Sequence, residues 1–280
     1  MTVSAAIAAV MWGASDFTAG VLARRLRVTT VLVCSKVFGM ALSLPVLAFG
    51  DMPSAHDLRL AMAAGFLGLP ALGLLYRAMR DGSLIIVAPV AAAAALVPVG
   101  WGLIGGERFG AVGVLGVAVA LVGVTLASWP VERGTRPARL STMVSALGAA
   151  LGFGTYFVLL HQASGTEAYG VIAVSHLCGG AGALVLAAGL GLRKRQSGRR
   201  PAPALATVVA MCGVGALDVA GDIAFLVAAH GGPLGQAAVL ASLYPAVTVL
   251  LNRSVLRERM HAVHLCGVLA ALFAVACLAG

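Results

Sequence analysis

Charge is what this sequence has little of. Asp, Glu, Lys and Arg make up 10% of its 280 residues, where soluble domains carry about 25%. A soluble fold of this size could not cover its surface with so few charges, so a soluble enzyme, a disordered chain and a nucleic-acid module are excluded. Cysteine is equally uninformative for redox chemistry: Cys34, Cys178, Cys212, Cys266 and Cys277 all lie in apolar segments and form no CxxC pair, so they read as small membrane-buried hydrophobes. The long apolar runs do not alternate, and an open sheet cannot satisfy its backbone in lipid, so strands are not expected. No Gly-Lys-Ser/Thr follows any glycine cluster, so the 36 glycines are not phosphate loops. They serve close helix packing, as in Gly148-xxx-Gly152. The first apolar stretch lacks a basic leader and carries Asp16, so it is expected to be a retained span.

Hydrophobic residues are abundant instead, at 60%, with mean hydropathy +1.00. A bilayer is crossed by about 20 apolar residues per helix. Between charge and turn clusters the chain reads as ten such segments: 3–23, 29–49, 58–79, 83–104, 111–129, 140–160, 169–192, 204–229, 234–251 and 261–279. The expected class is all-α: a polytopic membrane protein of ten transmembrane helices, with the polar stretch 130–139 dividing the chain.

The second half repeats the first. Ser35 to Gly39 aligns with Ser175 to Gly179 at an offset of 140, and Trp12-Gly13 with Phe153-Gly154 at 141. Ala78 to Leu84 aligns with Ala228 to Leu234 at 150, and Glu107-Arg108 with Glu258-Arg259 at 151. The extra length falls between the second and third spans, where the second half carries the basic run 193–200. Residues 1–129 and 140–280 are therefore expected to be two five-helix repeats. An odd number of spans inverts the second repeat relative to the first, which places a binding site at the midplane between them.

The basic residues also separate by side. Under ten spans, 16 of the 19 Lys and Arg residues fall in the loops after the odd-numbered spans, and only Arg59 and Arg108 in the others. The positive-inside rule then puts the rich face in the cytoplasm and both termini outside.

The chain resembles the EamA-type transporters of the drug/metabolite transporter superfamily. The resemblance rests on Trp12-Gly13, Gly106-Glu107-Arg108, Arg257-Glu258-Arg259, Tyr244-Pro245 and the glycine-rich fifth spans, in duplicated order over nearly the whole chain. Two departures stand out: Ala94 or Ala95 occupies the position matching Pro245, and Arg257 stands where the family usually has Gly. The resemblance implies two five-helix repeats, a small-metabolite transporter or exporter, and cytoplasmic termini, the opposite of the charge rule. Family substrates vary too widely to carry over.

Ionisable groups at a helix centre in lipid cost about 2.5–3.5 kcal/mol, so each needs a cavity, a partner or a task. Five qualify: Asp16, Lys36, His176, Asp218 and Asp222. Lys36 and His176 occupy equivalent repeat positions, and the resemblance also places a basic residue near Lys36. The pair forms either a cationic wall for an anionic or carboxylate-bearing substrate, or an ion pair from Lys36 to an Asp with His176 satisfied by a carbonyl. Asp218 and Asp222 are four apart and share a helical face. Two such carboxylates either share a proton, as a proton-coupling site would, or divide, one pairing with Lys36 and the other taking a hydrogen bond. Asp16 adds a third acid. Trp12, Tyr156 and Tyr244 are candidate cavity-lining residues or core packing. Trp101 and Trp129 suit an interfacial belt, Glu107 and Glu258 suit helix capping, and His261 and His264 open the last span without implying a metal.

The function expected is transport of a small amino-acid-like or amphiphilic solute across the cell membrane by alternating access, coupled to protons. No nucleic acid, cofactor or catalytic group is expected. An uncoupled uniporter or lipid-handling protein is the alternative. An intramembrane enzyme is remote, because aspartyl proteases of that kind need Gly-x-Gly-Asp, whereas Gly213-x-Gly215 is followed by Ala216-Leu217-Asp218 and both acids share one helix.

Overall fold

The computed structural model describes residues 1–81, 87, 93–106, 108, 110–127, 140–163, 167–194, 204–256 and 262–279. The connector 130–139, Trp129, Glu107, the run Arg257-Glu258-Arg259, His261 and the side chain of His264 lie outside the described residues, as does most of 83–92. Among the described residues there is no strand.

Six helices are long and apolar enough to cross a membrane: α1 (Thr2–Arg25), α2 (Val28–Phe49), α3 (Ala55–Asp81), α6 (Leu140–Ala163), α7 (Ala168–Lys194) and α8 (Leu205–His230). The others are shorter: α4 (Leu96–Ile104), α5 (Ala111–Ala127), α9 (Leu234–Ala241), α10 (Tyr244–Leu256) and α11 (Ala262–Ala279). At 1.5 Å per residue the 24 residues of α1 reach about 36 Å, enough for the roughly 30 Å hydrocarbon layer.

The helices are sorted by side-chain size rather than polarity. On α1 the buried face is Ala5, Ala8, Ala9, Trp12, Gly13, Asp16, Ala19, Gly20 and Ala23, while Val3, Ile7 and Val10 point outward. Small residues at three- and four-residue spacing let backbones approach, and large aliphatic ones face lipid. The entry to α3 is fixed by Ser54, whose Oγ accepts the Asp57 amide at 3.2 Å and donates to the Asp57 carboxylate at 2.8 Å, a reciprocal N-terminal cap.

Helix α1 packs on α8, α3 on α6, α2 on both α7 and α8, α7 on α3, and α5 on α11. Gly148 and Gly152 of α6 lie against Leu74 and Ala71 of α3, so this glycine pair does bring two helices together.

The expected continuous span 234–251 is interrupted. Helix α9 ends at Ala241, Ser242 and Leu243 form a turn, and α10 begins at Tyr244. Pro245 has no amide hydrogen for the Ala241 carbonyl, so the ladder tightens into short-range bonds from Leu243 N to Leu240 O (3.2 Å) and Ala246 N to Leu243 O (2.9 Å). In the other half a 3₁₀ turn, Ala93–Ala95, precedes α4 without any proline at the corresponding place.

Candidate functional site

A cavity forms where α1, α2, α3, α6 and α8 meet Ala94 of the 3₁₀ turn before α4 and Tyr244 at the start of α10. Its wall includes Trp12, Asp16, Lys36, Tyr156, Asp218, Asp222 and Tyr244, seven of the eight residues singled out in the sequence. The eighth, His176, stands directly behind the wall. The cavity volume is about 50 Å³. That is room for a few waters, so the site is drawn close around its own side chains.

Each charged group can be traced to its partners. Lys36 Nζ on α2 donates to Asp218 Oδ2 on α8 at 2.7 Å, with side chains 11% and 18% exposed. One turn further along α8, Asp222 Oδ2 accepts from the Tyr156 hydroxyl at 2.5 Å and lies 3.1 Å from His176 Nε2. The His176 contact is close but does not meet hydrogen-bond angles. The Tyr156 oxygen is also 3.5 Å from Ser175 Oγ. The two α8 carboxylates thus do not face each other around a shared proton. One takes Lys36 and the other a hydrogen bond, and His176 Nε2 lies beside the second carboxylate.

Asp16 differs from all of these. It is 7% exposed and lines the cavity, yet its carboxyl has no hydrogen bond or ion pair among the described residues. Its charged neighbour is Asp218, with Tyr76 and Tyr244 also close.

Aromatic rings form the other half of the wall. Trp12 stacks on Phe157 with centroids 4.9 Å apart and tilts against Phe225 at 5.6 Å, while Phe153 stacks on Phe157 at 6.4 Å. Phe153, Phe157 and Tyr76 were not singled out in the sequence. The first two were within reach: the 141 offset that aligns Trp12 with Phe153 also aligns Asp16 with Phe157. Tyr76, buried at 1% exposure, carries no signal apart from its apolar setting. Trp101 lies outside this cluster, half exposed on α4.

The Lys36–Asp218 pair makes a direct stability prediction. Lys36→Met leaves Asp218 as an uncompensated buried charge, which costs about 3–5 kcal/mol. Denaturant or thermal unfolding in detergent is expected to show that loss, and to show most of it recovered when Asp218→Leu is added. Equal destabilisation by the single and double variants would mean that the contact contributes nothing.

Among the described residues no three His, Cys, Asp or Glu side chains are placed to hold a metal, and all five cysteines are free thiols. No curated protein matches the chain. A crystal structure of a protein 17% identical in sequence superposes over 99% of this chain and 95% of its own with a TM-score of 0.73, a likeness of fold. The family model described as the EamA-like transporter family matches residues 140–280, just over half of the chain. With several apolar helices of spanning length around a cavity lined by buried ionisable groups, this multi-pass membrane protein belongs to the EamA-like transporter family of the drug/metabolite transporter superfamily.

Proposed function

We propose that the chain is a proton-coupled secondary transporter of the cell membrane that moves a small organic solute by alternating access. The observation that carries this reading is the convergence of Asp16, Lys36, Asp218 and Asp222 on one cavity, inside helices that otherwise expose aliphatic side chains to lipid. Such groups are costly in a membrane unless they do work there. Asp16 is the group whose charge has no fixed counterpart, so it is the one whose protonation is free to follow the arrival and departure of solute. The Lys36–Asp218 pair and the Tyr156–Asp222–His176 set hold the wall around it.

The alternating element is a pair of inverted five-helix repeats, 1–129 and 140–280. Two sets of close approaches support it. A Cβ built on Gly13 would stand 2.6 Å from Val247 Cβ and 2.7 Å from the Tyr244 carbonyl; one on Gly154 would stand 2.6 Å from Val97 Cβ and 2.5 Å from the Ala94 carbonyl. Likewise Gly65 lies against the Ser175 carbonyl and Gly215 against the Ser35 carbonyl. These positions correspond through the offsets 141, 150 and 140 found in the sequence. In this reading the 3₁₀ turn at 93–95 and the helix break at 242–243 are equivalent elements at the cavity, and discontinuous helices at a midplane site are a recurring transporter device.

The test is solute-evoked proton movement. Purified protein is reconstituted into vesicles holding a pH-sensitive dye, and amino acids, polyamines, nucleosides and cationic drugs are added in turn. A coupled transporter gives a pH change with at least one of them. Uptake of a labelled solute with no pH change makes the protein a uniporter. The orientation has its own test. The charge bias predicts a C-terminal reporter that signals from outside, and a cytoplasmic signal would show that the charge rule does not govern this chain.

A further inference from the structure

We infer that the outward groove between α2 and α3 seats one anionic phospholipid, with an acyl chain over Leu32, Leu69 and Gly73 and the phosphate against Arg77 and Arg80. This seat is separate from the central cavity and does not depend on which solute the chain carries. The groove begins in the pattern of α3. Pro70, Gly73, Arg77 and Arg80 follow one another at spacings of three and four, so they form one stripe along the helix. Pro70, Arg77 and Arg80 on it are exposed. The adjacent stripe of Leu72, Leu75 and Tyr76 is buried, and its two leucines line the central cavity. Outward faces elsewhere carry large aliphatic side chains, as Val3, Ile7 and Val10 do on α1. Gly73 carries none, so the stripe dips there. Helices α2 and α3 both pack on α7, and Leu186 of α7 completes the groove wall. Its volume is about 470 Å³, within the range of about 300–1,000 Å³ typical of small-molecule sites.

The length and charge of the groove match one leaflet of a bilayer. From Leu69 to Arg80 the helix rises about 17 Å at 1.5 Å per residue, close to half of the roughly 30 Å hydrocarbon layer. The apolar end therefore lies near the midplane, and the arginines at the end of α3 reach headgroup depth. Val28 and Thr29, the first residues of α2, line the groove at that same end. Arg80 donates from Nε and Nη2 to the Asp81 carboxylate at 2.6 and 2.9 Å. Arg77 Nε lies 3.7 Å from the same carboxylate. One carboxylate thus faces two guanidinium groups, which leaves the cluster net positive. The Arg77 and Arg80 side chains are 59% and 44% exposed, and their remaining N–H donors suit the oxygens of a phosphate. Arg24, Arg25 and Arg27 at the α1–α2 junction add charge of the same sign at this end. A zwitterionic headgroup would bring its own ammonium to these arginines, so the site favours a lipid with net negative charge.

The experiment adds phosphatidylglycerol, phosphatidylcholine with the same acyl chains, or inorganic phosphate to delipidated protein in detergent. Binding is read by native mass spectrometry and by thermal shift. Phosphatidylglycerol is expected to form a one-to-one adduct and raise the melting temperature, binding about tenfold tighter than phosphatidylcholine, with no effect of phosphate. Replacing both arginines, Arg77→Gln with Arg80→Gln, is expected to bring the two lipids within about threefold of each other. That variant loses only an exposed ion pair, so it still folds. Gly73→Leu fills the dip and is expected to weaken both lipids. Its Cβ would stand 3.3 Å from Leu32 Cδ2, the movable end of a side chain. Where Gly73→Leu gives no folded protein, the arginine variants decide. Arg24→Gln with Arg25→Gln removes as much charge from the same end without touching the groove, and is expected to keep the preference. The inference is overturned by equal affinity for the two lipids, or by a preference that survives the loss of Arg77 and Arg80. It is overturned equally by phosphate stabilising the protein as strongly as phosphatidylglycerol. Loss of the preference in the Arg24 and Arg25 variant would also overturn it, by assigning the attraction to the general charge of this face.

Discussion

Asp16→Asn is expected to abolish solute-evoked proton movement in reconstituted vesicles, at least a hundredfold below the wild-type chain, while the protein still folds. The carboxyl sits 7% exposed on the cavity wall with no ion pair or hydrogen bond among the described residues. Removing its charge therefore breaks no packing contact and orphans no partner, the usual sources of large destabilisation. Among the described residues it removes the one cavity-lining carboxyl that has no hydrogen bond or ion pair. Asn has nearly the same shape and cannot carry the proton. The measurement is the initial rate of the internal dye signal after solute addition, set beside the unfolding midpoint of the same preparation. A variant that folds normally and retains its proton signal would take Asp16 out of the coupling role.

The second large effect lies in the packing. Gly213 and Gly215 are two residues apart on α8, yet a methyl group on each meets opposite surroundings. At Gly213 nothing lies within 4 Å, whereas at Gly215 the new Cβ would collide with the backbone carbonyl of Ser35. A carbonyl in the middle of α2 cannot rotate away without opening the helix ladder, so α2 and α8 must separate. That strains the Lys36–Asp218 contact, which joins the same two helices. Gly215→Ala is expected to cost about 3 kcal/mol or more, at the upper end of overpacking effects. Gly213→Ala is expected to stabilise by up to about 1 kcal/mol, the ordinary helix-propensity gain. Unfolding midpoints for the two variants check the pair, and equal midpoints would show that the close approach of α2 and α8 does not constrain the fold.

Much of this architecture was legible in the sequence because lipid leaves so few options. The segments 3–23, 29–49, 58–79, 140–160, 169–192 and 204–229 each match a long helix to within three residues at either end, since hydrophobic length and flanking charge set both ends. The buried ionisable residues were legible for the same reason: in a chain with 10% charge, an Asp in mid-span has to be somewhere special. Pairing was less accessible. Asp218 and Asp222 share a helical face, but which takes Lys36 and which takes Tyr156 depends on how α2, α6 and α7 rotate against α8, and helical periodicity does not encode that rotation. Asp16 looked like one acid among three, and only the absence of a partner sets it apart.

The break at 242–243 was half legible, because Tyr244-Pro245 is a plain breaker, whereas the turn at Ala93–Ala95 contains no residue that demands it. Its equivalence to Tyr244 comes from the repeat offset of 150. The aromatic wall shows the same division. The repeated frame places Phe157 where the first half has Asp16, and Gly68 and Leu72 where the second half has Asp218 and Asp222. A nearly symmetric scaffold thus carries asymmetric chemistry, with apolar and aromatic groups facing carboxylates across the cavity.

The central claim is that this cavity is reached in turn from the two sides of the membrane. Leu72 lines it, is 3% exposed and bears no charge. In a chain whose five native cysteines are replaced by alanine, Leu72→Cys should react with a membrane-impermeant thiol reagent added from either face, in right-side-out and in inverted vesicles. Reaction from one face only, or from neither, would contradict the account.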